Sequence, residues 1–154
     1  MTISIPLKTY LDQHHIKYDL VNHRHTETSV LSAVSAHVPV DSMVKGVLLE
    51  DEQGYMMAAV PASRQVSMNS IRKHTGRNLR LAGESELSAV IAGCDYGAVP
   101  AIGEAFGLQT IWDEHLAAEH DLYIEAGDHQ ELIHMKQSDF VGLMNKQNRA
   151  VITH

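Results

Sequence analysis

The sequence has few of the features that are typical of secreted or membrane proteins. Its 154 residues include one cysteine, Cys94, so no disulfide can form within the chain, which is typical of a reducing compartment. No apolar run approaches the roughly 20 residues that cross a bilayer. The first residues also lack the basic start and apolar core of a secretory signal. We therefore expect a cytoplasmic protein that contacts no membrane.

The sequence also lacks the signatures of several common catalytic classes. There is no Gly-x-Ser-x-Gly elbow, no His-Glu-x-x-His motif, no cysteine pair and no glycine-rich phosphate loop after a strand. The 11 histidines are scattered along the chain, and Cys94 has no neighbour in sequence that would activate its thiol. The sequence therefore predicts no metal site, no cofactor and no covalent acyl-enzyme.

Charge is unevenly distributed along the chain. The formal net charge of -7 argues against general electrostatic coating of nucleic acid. No acidic residue occurs between positions 62 and 83, and this stretch holds five of the 12 basic residues, Arg64, Arg72, Lys73, Arg77 and Arg80. A basic face on an acidic body suits a protein that grips one end of a polyanion, although a solvated helix surface is the simpler reading. Arg72 and Lys73 are our candidate substrate contacts here.

The pattern of apolar residues predicts one α+β domain over residues 1–154. Helical spacing favours helices over residues 5–14, from 26–28 onward, 67–74, 84–91 and 138–144, whereas β-rich runs cover 16–21, 43–50, 55–60, 78–81, 108–112, 121–126 and 129–135. Because these elements follow no strict βαβα rhythm, we expect a mixed, largely antiparallel sheet or irregular barrel with packed helices. The tail from about residue 145 is expected to be loosely ordered.

The second helix is predicted to begin under a hydroxyl cap. Thr28 is one of the residues that can accept a hydrogen bond from the first turn. Val30, Leu31 and Val34 follow at helical spacing. The spacing therefore predicts that these three residues point inward.

Lys45 interrupts a run that otherwise reads as a mostly buried strand. Strand alternation places it on the same face as Met43, Val47 and Leu49. A desolvated ammonium needs a compensating anion or dipole, which a substrate phosphate or ester oxygen could supply at the mouth of a pocket. The alternative is an edge-strand lysine whose ammonium reaches solvent.

Glycine and proline crowd the stretch from residue 92 to 107. Within it, Gly97-Ala98-Val99-Pro100 combines a residue of free backbone conformation with one of fixed φ. The remaining amides of such a loop can converge on a carbonyl oxygen or an oxyanion. A plain turn is the alternative.

Four segments taken in order make the chain resemble the YbaK/EbsC family. They are Met43-Val44-Lys45-Gly46-Val47-Leu48-Leu49, Val60-Pro61, the Gly97 to Pro100 loop and the predicted strand-turn-strand of residues 121–135. The family includes the editing domain of bacterial prolyl-tRNA synthetase and its freestanding relatives. The resemblance covers about residues 7–143 and implies the fold of that editing domain.

The resemblance implies trans-editing, the hydrolysis of the ester that joins a wrong amino acid to the terminal adenosine of a tRNA, without a metal. Lys45 matches the essential lysine of the family, and Gly97 to Pro100 match its Gly-x-x-Pro loop. The loop amides would then orient the aminoacyl carbonyl, Lys45 would hold the 3′ end, and a water assisted by a substrate hydroxyl would attack. Positioning and electrostatics can supply this catalysis without a Ser-His-Asp set.

Further substrate contacts come from the same resemblance. His129 lies near a pocket residue of some relatives, with a solvent-facing hairpin histidine as the alternative, and Thr28 ends the pocket segment that begins at Arg24. This segment follows no relative closely, and Ala101 stands where related proteins often have a second proline, so the edited amino acid stays open, with a small one expected.

The implied partners are the acceptor end of an aminoacyl-tRNA and an aminoacyl-tRNA synthetase. A non-catalytic module that binds a tRNA end, a nucleotide or a synthetase, and an esterase of small metabolites, are the competing hypotheses.

Overall fold

The computed structural model describes residues 3–24, 28–91, 94, 98–128 and 130–154, and its helices and strands closely follow the apolar spacing. The helices of this part are α1 (Ile5–Gln13), α2 (Ser29–Ser35), α3 (Met68–Thr75), α4 (Glu84–Val90) and α5 (Gln137–Met144). The strands are β1 (Asp19–Asn22), β2 (Met43–Asp51), β3 (Gly54–Pro61), β4 (Arg80–Leu81), β5 (Gln109–Asp113), β6 (Asp121–Glu125), β7 (Glu131–Lys136) and β8 (Asn148–Ala150). Short 3₁₀ turns cover Val40–Ser42, Gly103–Phe106 and Glu114–Ala118.

The strands form one open mixed sheet of the order β1-β7-β6-β2-β3-β5-β8, with β4 paired to β2 outside this path. Pairs β1–β7, β2–β3, β2–β4 and β6–β7 are antiparallel, whereas β2–β6, β3–β5 and β5–β8 are parallel. Strands and helices pack on one another without βαβ repetition. The expected α+β fold is therefore confirmed, with an open sheet rather than a closed barrel.

Both faces of the sheet are covered, which explains why its central strands are mostly apolar. On one face, residues from β2, β3, β5, β6 and β7 meet α1 and α5; they include Val44, Ala59, Trp112, Ile124, Ile133, Leu7, Leu11 and Phe140. On the other face, β2, β3 and β5 meet α3, through residues that include Leu49, Met56, Ala58, Ile111 and Ile71. Burial of these side chains at about 25 cal/mol per Å² is the main driving force of folding.

Helix α2 packs with the face opposite to the expected one. Thr28 does cap it, since its side chain accepts a hydrogen bond from the amide of Leu31 at 3.2 Å. However, Val30, Leu31 and Val34 are exposed, and the buried residues are Ser29, Ser32 and Ala33. Both triplets lie at helical spacing, so periodicity could not choose between them. The choice follows from the sheet, where Ala33 contacts the cluster around Met43 and Ser32 faces the buried carboxyl of Glu125.

The chain after Asn145 packs against the sheet, which differs from the loosely ordered tail that the sequence led us to expect. β8 pairs with β5 in parallel, and Ile152 is fully buried. The buried Asp113 carboxylate accepts hydrogen bonds from the amide of Ile152 and the hydroxyl of Thr153, both at 2.9 Å. Burial alone would raise the pKa of Asp113, but these bonds and those from His115 hold it below its ordinary value. This distant carboxylate, which local sequence does not reveal, anchors the C-terminal segment.

Glu125 makes the stability of the fold depend on pH. Burial raises its pKa from 4.5 to about 7, against the opposing contact of the Ser32 hydroxyl, and the nearby charge of Asp128 adds to the rise. The folded chain thus holds this proton more tightly than the unfolded chain. Its stabilising contribution is complete at low pH and is lost as the pH rises from about 4.5 to about 7.

We expect Glu125→Gln to remove this dependence, because the amide stays neutral. Between pH 5 and pH 8, the free energy of unfolding in urea should fall for the wild type relative to the variant by up to about 3 kcal/mol. The exposed Glu52→Gln serves as the matched control and should follow the wild type. Equal pH slopes for the wild type and Glu125→Gln would contradict the assignment.

Candidate active site

The candidate site lies at an incomplete edge of β2. One edge of β2 pairs with β3 along its whole length, from Val44 to Asp51. The other edge pairs with β6 at Met43 and Val44 and with β4 at Leu49 and Glu50. Within the described part of the chain, residues 45–47 therefore have no strand beside them on this edge. We call this interval the β2 gap.

A cavity of about 350 Å³ opens at the β2 gap. Its described lining comes from β2, from the start of α2, from the end of β4 and the residue after it, from α4 and from the predicted loop: Thr28, Ser29, Lys45, Gly46, Val47, Leu48, Leu81, Ala82, Leu87 and Val99. Most of these side chains are apolar. Such a cavity with a few polar groups is the usual form of a small-ligand site.

Lys45 lines this cavity in the middle of the sheet. It is half-buried and lies opposite Val60 in the β2–β3 register. Among the described residues, no hydrogen bond or salt bridge engages its ammonium. A cation that has no partner in the described part of the chain, at the edge of an apolar cavity, favours an anionic or carbonyl oxygen as its ligand.

The described part of the predicted loop also reaches the cavity. Ala98, Val99 and Pro100 are buried, and Val99 contributes to the lining. Gly97 lies outside the described residues. The loop therefore comes beside Lys45 in the fold, although 52 positions separate Lys45 from Gly97 in the sequence.

Gly46 makes this approach of loop to strand possible, and sequence reasoning missed it. A Cβ at this position would lie 2.9 Å from the carbonyl oxygen of Val99 and 3.1 Å from both the Pro100 oxygen and Ala101 Cα. These partners are backbone atoms, which cannot swing away as a side chain can. A glycine inside a strand often marks such a close backbone approach, and this was the available signal.

The loop packs against one face of β2, and the Lys45 side chain extends from the opposite face. Gly46 faces the loop, and by strand alternation Lys45 lies on the opposite face with Val47 and Leu49. Val99 and Lys45 nevertheless line the same cavity, because this cavity opens at the β2 gap inside the sheet. The site is therefore arranged around a strand edge rather than across one face.

The other predicted contacts are only partly brought together. Thr28 lines the cavity as well as capping α2. His129 lies outside the described residues. Arg72 and Lys73 lie on α3 and are not among the lining residues of the described chain. The Arg72 guanidinium donates to the carbonyl of Leu79 at 2.9 Å, whereas Lys73 is exposed.

Much of the basic segment is engaged within the protein. Arg77 forms an ion pair with Asp51 at 2.6 Å, and Arg80 forms one with Glu50 at 2.9 Å. The hydrogen bond from Arg77 lowers the pKa of Asp51 to about 2. The positive charge that this segment offers to a polyanion is therefore smaller than its composition suggests.

The described lining contains no carboxylate and no imidazole, so it offers no ordinary general base. In the described residues, no three His, Cys, Asp or Glu side chains are grouped so as to hold a metal ion. The helices of this part are also too short or too polar to span a bilayer. Any chemistry of the described lining therefore depends on Lys45, backbone groups and the substrate itself.

Comparison with known proteins identifies the family. Three solved structures share the fold. The hypothetical protein APE2540 is 19% identical with a TM-score of 0.85, and the match covers 97% of this chain and 99% of that one. A protein proposed to be a trans-editing enzyme for prolyl-tRNA synthetase is 20% identical with a TM-score of 0.83, over 97% of this chain and 95% of that one. A protein from Marinobacter aquaeolei VT8, proposed to act in signal transduction, is 18% identical with a TM-score of 0.78, over 98% of this chain and 31% of that one. No curated protein matches the sequence. The family model of the aminoacyl-tRNA editing domain matches residues 23–143, which include the β2 gap and the loop, and the chain therefore belongs to the aminoacyl-tRNA editing domain family.

Proposed function

We propose that this protein is a freestanding deacylase that hydrolyses the ester of a tRNA mischarged with a small amino acid. The observation that carries the proposal is that Lys45, whose ammonium has no partner among the described residues, and the buried Val99 line one cavity beside an open strand edge. Family membership supports the editing role. A cytoplasmic location and interaction with a synthetase belong to the same proposal.

The chemistry that fits this site is hydrolysis by positioning. The loop from Gly97 to Pro100 orients the ester carbonyl, and Lys45 binds an oxygen at the 3′ end of the tRNA. A water molecule adds to the carbonyl carbon and loses a proton, the bond to the ribose oxygen breaks, and that oxygen receives a proton. A neighbouring substrate hydroxyl assists the water, since the described lining has no base of its own.

The cavity also supports the proposed preference for a small acyl group. Its volume of about 350 Å³ must hold the amino acid together with part of the terminal nucleoside. The apolar side chains of Val47, Leu48 and Leu87 occupy its walls. His129 and Thr28 are proposed further contacts to the substrate.

The absence of a general base from the described lining also favours a second candidate function. A module that binds a tRNA end, a nucleotide or a synthetase would use the same cavity and Lys45 without turnover. Tight binding of aminoacyl-tRNA with an unchanged ester half-life would favour this candidate.

A panel of mischarged tRNAs tests the proposed reaction directly. We expect the protein to shorten the half-life of at least one ester among tRNAs that carry alanine, serine or cysteine. Acid-gel analysis of labelled tRNA over time measures this half-life against the spontaneous rate. Unchanged half-lives for the whole panel would exclude the deacylase function.

We expect Lys45→Met to lower kcat/KM by about 100-fold or more, because the variant removes the charge that holds the 3′ end of the tRNA in the reactive position. Methionine keeps most of the side-chain volume, and Lys45 has no described partner to lose, so the melting temperature should stay near that of the wild type. Lys17→Ala, at an exposed position, is the control and should retain full activity. Full activity of Lys45→Met would remove the lysine from the mechanism.

Lys73→Glu should raise the KM for aminoacyl-tRNA several-fold and leave a small aminoacyl ester unaffected, because only the tRNA carries distant phosphates. Lys73 suits this test better than Arg72, whose guanidinium also holds the Leu79 carbonyl. Lys146→Glu makes the same charge change at another exposed position. The difference between the two variants should shrink as salt increases; equal effects at low salt would remove Lys73 from the tRNA contact.

A further inference from the structure

The amide and the carbonyl of Gly46 both face the β2 gap. In a strand, the N–H and C=O of one residue point to the same edge, and successive residues alternate between edges. Met43 faces β3, because its carbonyl accepts from the amide of Ala62 at 2.7 Å. Leu48 faces the other edge, because its carbonyl accepts from the amide of Ala82 at 3.0 Å. Gly46 is two residues from Leu48 and therefore points to the same edge as Leu48.

Neither neighbouring strand reaches these two groups. The pairing of β6 with β2 ends at Val44, and that of β4 begins at Leu49. Among the described residues, no backbone hydrogen bond joins Gly46 to a partner on this side. Backbone groups in the interior of a sheet are almost always paired, so a donor and an acceptor left open at a cavity mark a place for a ligand.

We infer that Gly46 binds the aminoacyl group of the substrate through these backbone groups, as a strand edge binds one further residue. The amide of Gly46 donates to the ester carbonyl oxygen, and its carbonyl accepts from the α-ammonium. An extended α-amino acid presents its nitrogen and its carbonyl oxygen on one side, so both bonds form together. The inference rests on the proposed deacylase function and specifies how its substrate is recognised.

The length of the β2 gap limits what can bind there. Three residues of strand span roughly 10 Å, and β6 and β4 close the two ends. One amino-acid residue fits this interval, whereas a peptide would have to displace a paired strand. The site therefore selects an ester of a free α-amino acid over a peptidyl or N-blocked ester.

Comparison of Gly46→Pro with Gly46→Ala distinguishes the loss of the Gly46 N–H from the steric effect of an added Cβ. Both Gly46→Pro and Gly46→Ala add a Cβ that must displace the Val99 carbonyl, but only proline removes the N–H. This N–H does not face β3, so the hairpin bonds are kept. We expect kcat/KM of Gly46→Pro to lie at least about 10-fold below that of Gly46→Ala, as for a lost hydrogen bond to the reacting group. Equal values for two folded variants would overturn the inference.

Substrate variants test the same inference on the unaltered protein, including the case in which the proline variant fails to fold. The probes are tRNA esters of alanine, propionate and N-acetylalanine, or the same set for the preferred amino acid. Each enzymatic rate is divided by its own spontaneous rate, because the α-ammonium also makes the ester more labile. We expect this ratio to fall at least about 10-fold without a free α-ammonium. Equal ratios would overturn the inference and leave the deacylase function intact, whereas no acceleration of any ester would overturn the proposed function itself.

Discussion

The site depends on the unequal pairing of the two edges of β2. β3 pairs with one edge from Val44 to Asp51, which fixes the strand and the alternation of its side chains. On the other edge, β6 and β4 pair only with the ends. Because the middle is held firmly from one side, it can remain open on the other without fraying. An open edge is ordinarily a risk for aggregation, and here it lies within a cavity.

Close backbone approach brings the remaining parts to this edge. The absence of a side chain at Gly46 lets the carbonyls of Val99 and Pro100 lie against the strand. Val99 of the loop then lines the cavity from one face of β2, while the Lys45 side chain extends from the other face. In the proposed reaction, this arrangement places a charge and backbone dipoles around the substrate, and proton transfer is left to water and to the substrate itself.

Helix α2 links this site to a buried carboxyl. Its first residues, Thr28 and Ser29, line the cavity, and one turn later Ser32 faces Glu125. The helix is therefore seated largely through small and polar side chains, and its larger apolar residues remain exposed. Protonation of Glu125 favours this seating, since burial of the neutral acid costs less than burial of the anion.

Much of the molecule could be predicted before its structure was known. The hairpin of β2 and β3, the Thr28 cap, the α+β class and the editing-domain family were predicted and are confirmed. The roles of Lys45 and of the loop remain predictions, although the fold brings Lys45 and Val99 to one cavity. Gly97 and His129 lie outside the described residues.

The sequence by itself determined most of the secondary structure, since spacing, caps and turn residues act over a few positions. Strand β8 was not predicted, because it depends on pairing with the distant β5. The sequence did not determine which face of α2 is buried or whether the C-terminal segment is anchored. Those outcomes depend on Glu125 and Asp113, whose carboxyl groups meet α2 and the C-terminal segment only in the folded chain. The β2 gap likewise arises only when β4 and β6 pair with one edge, because an unpaired interval depends on where two distant strands end.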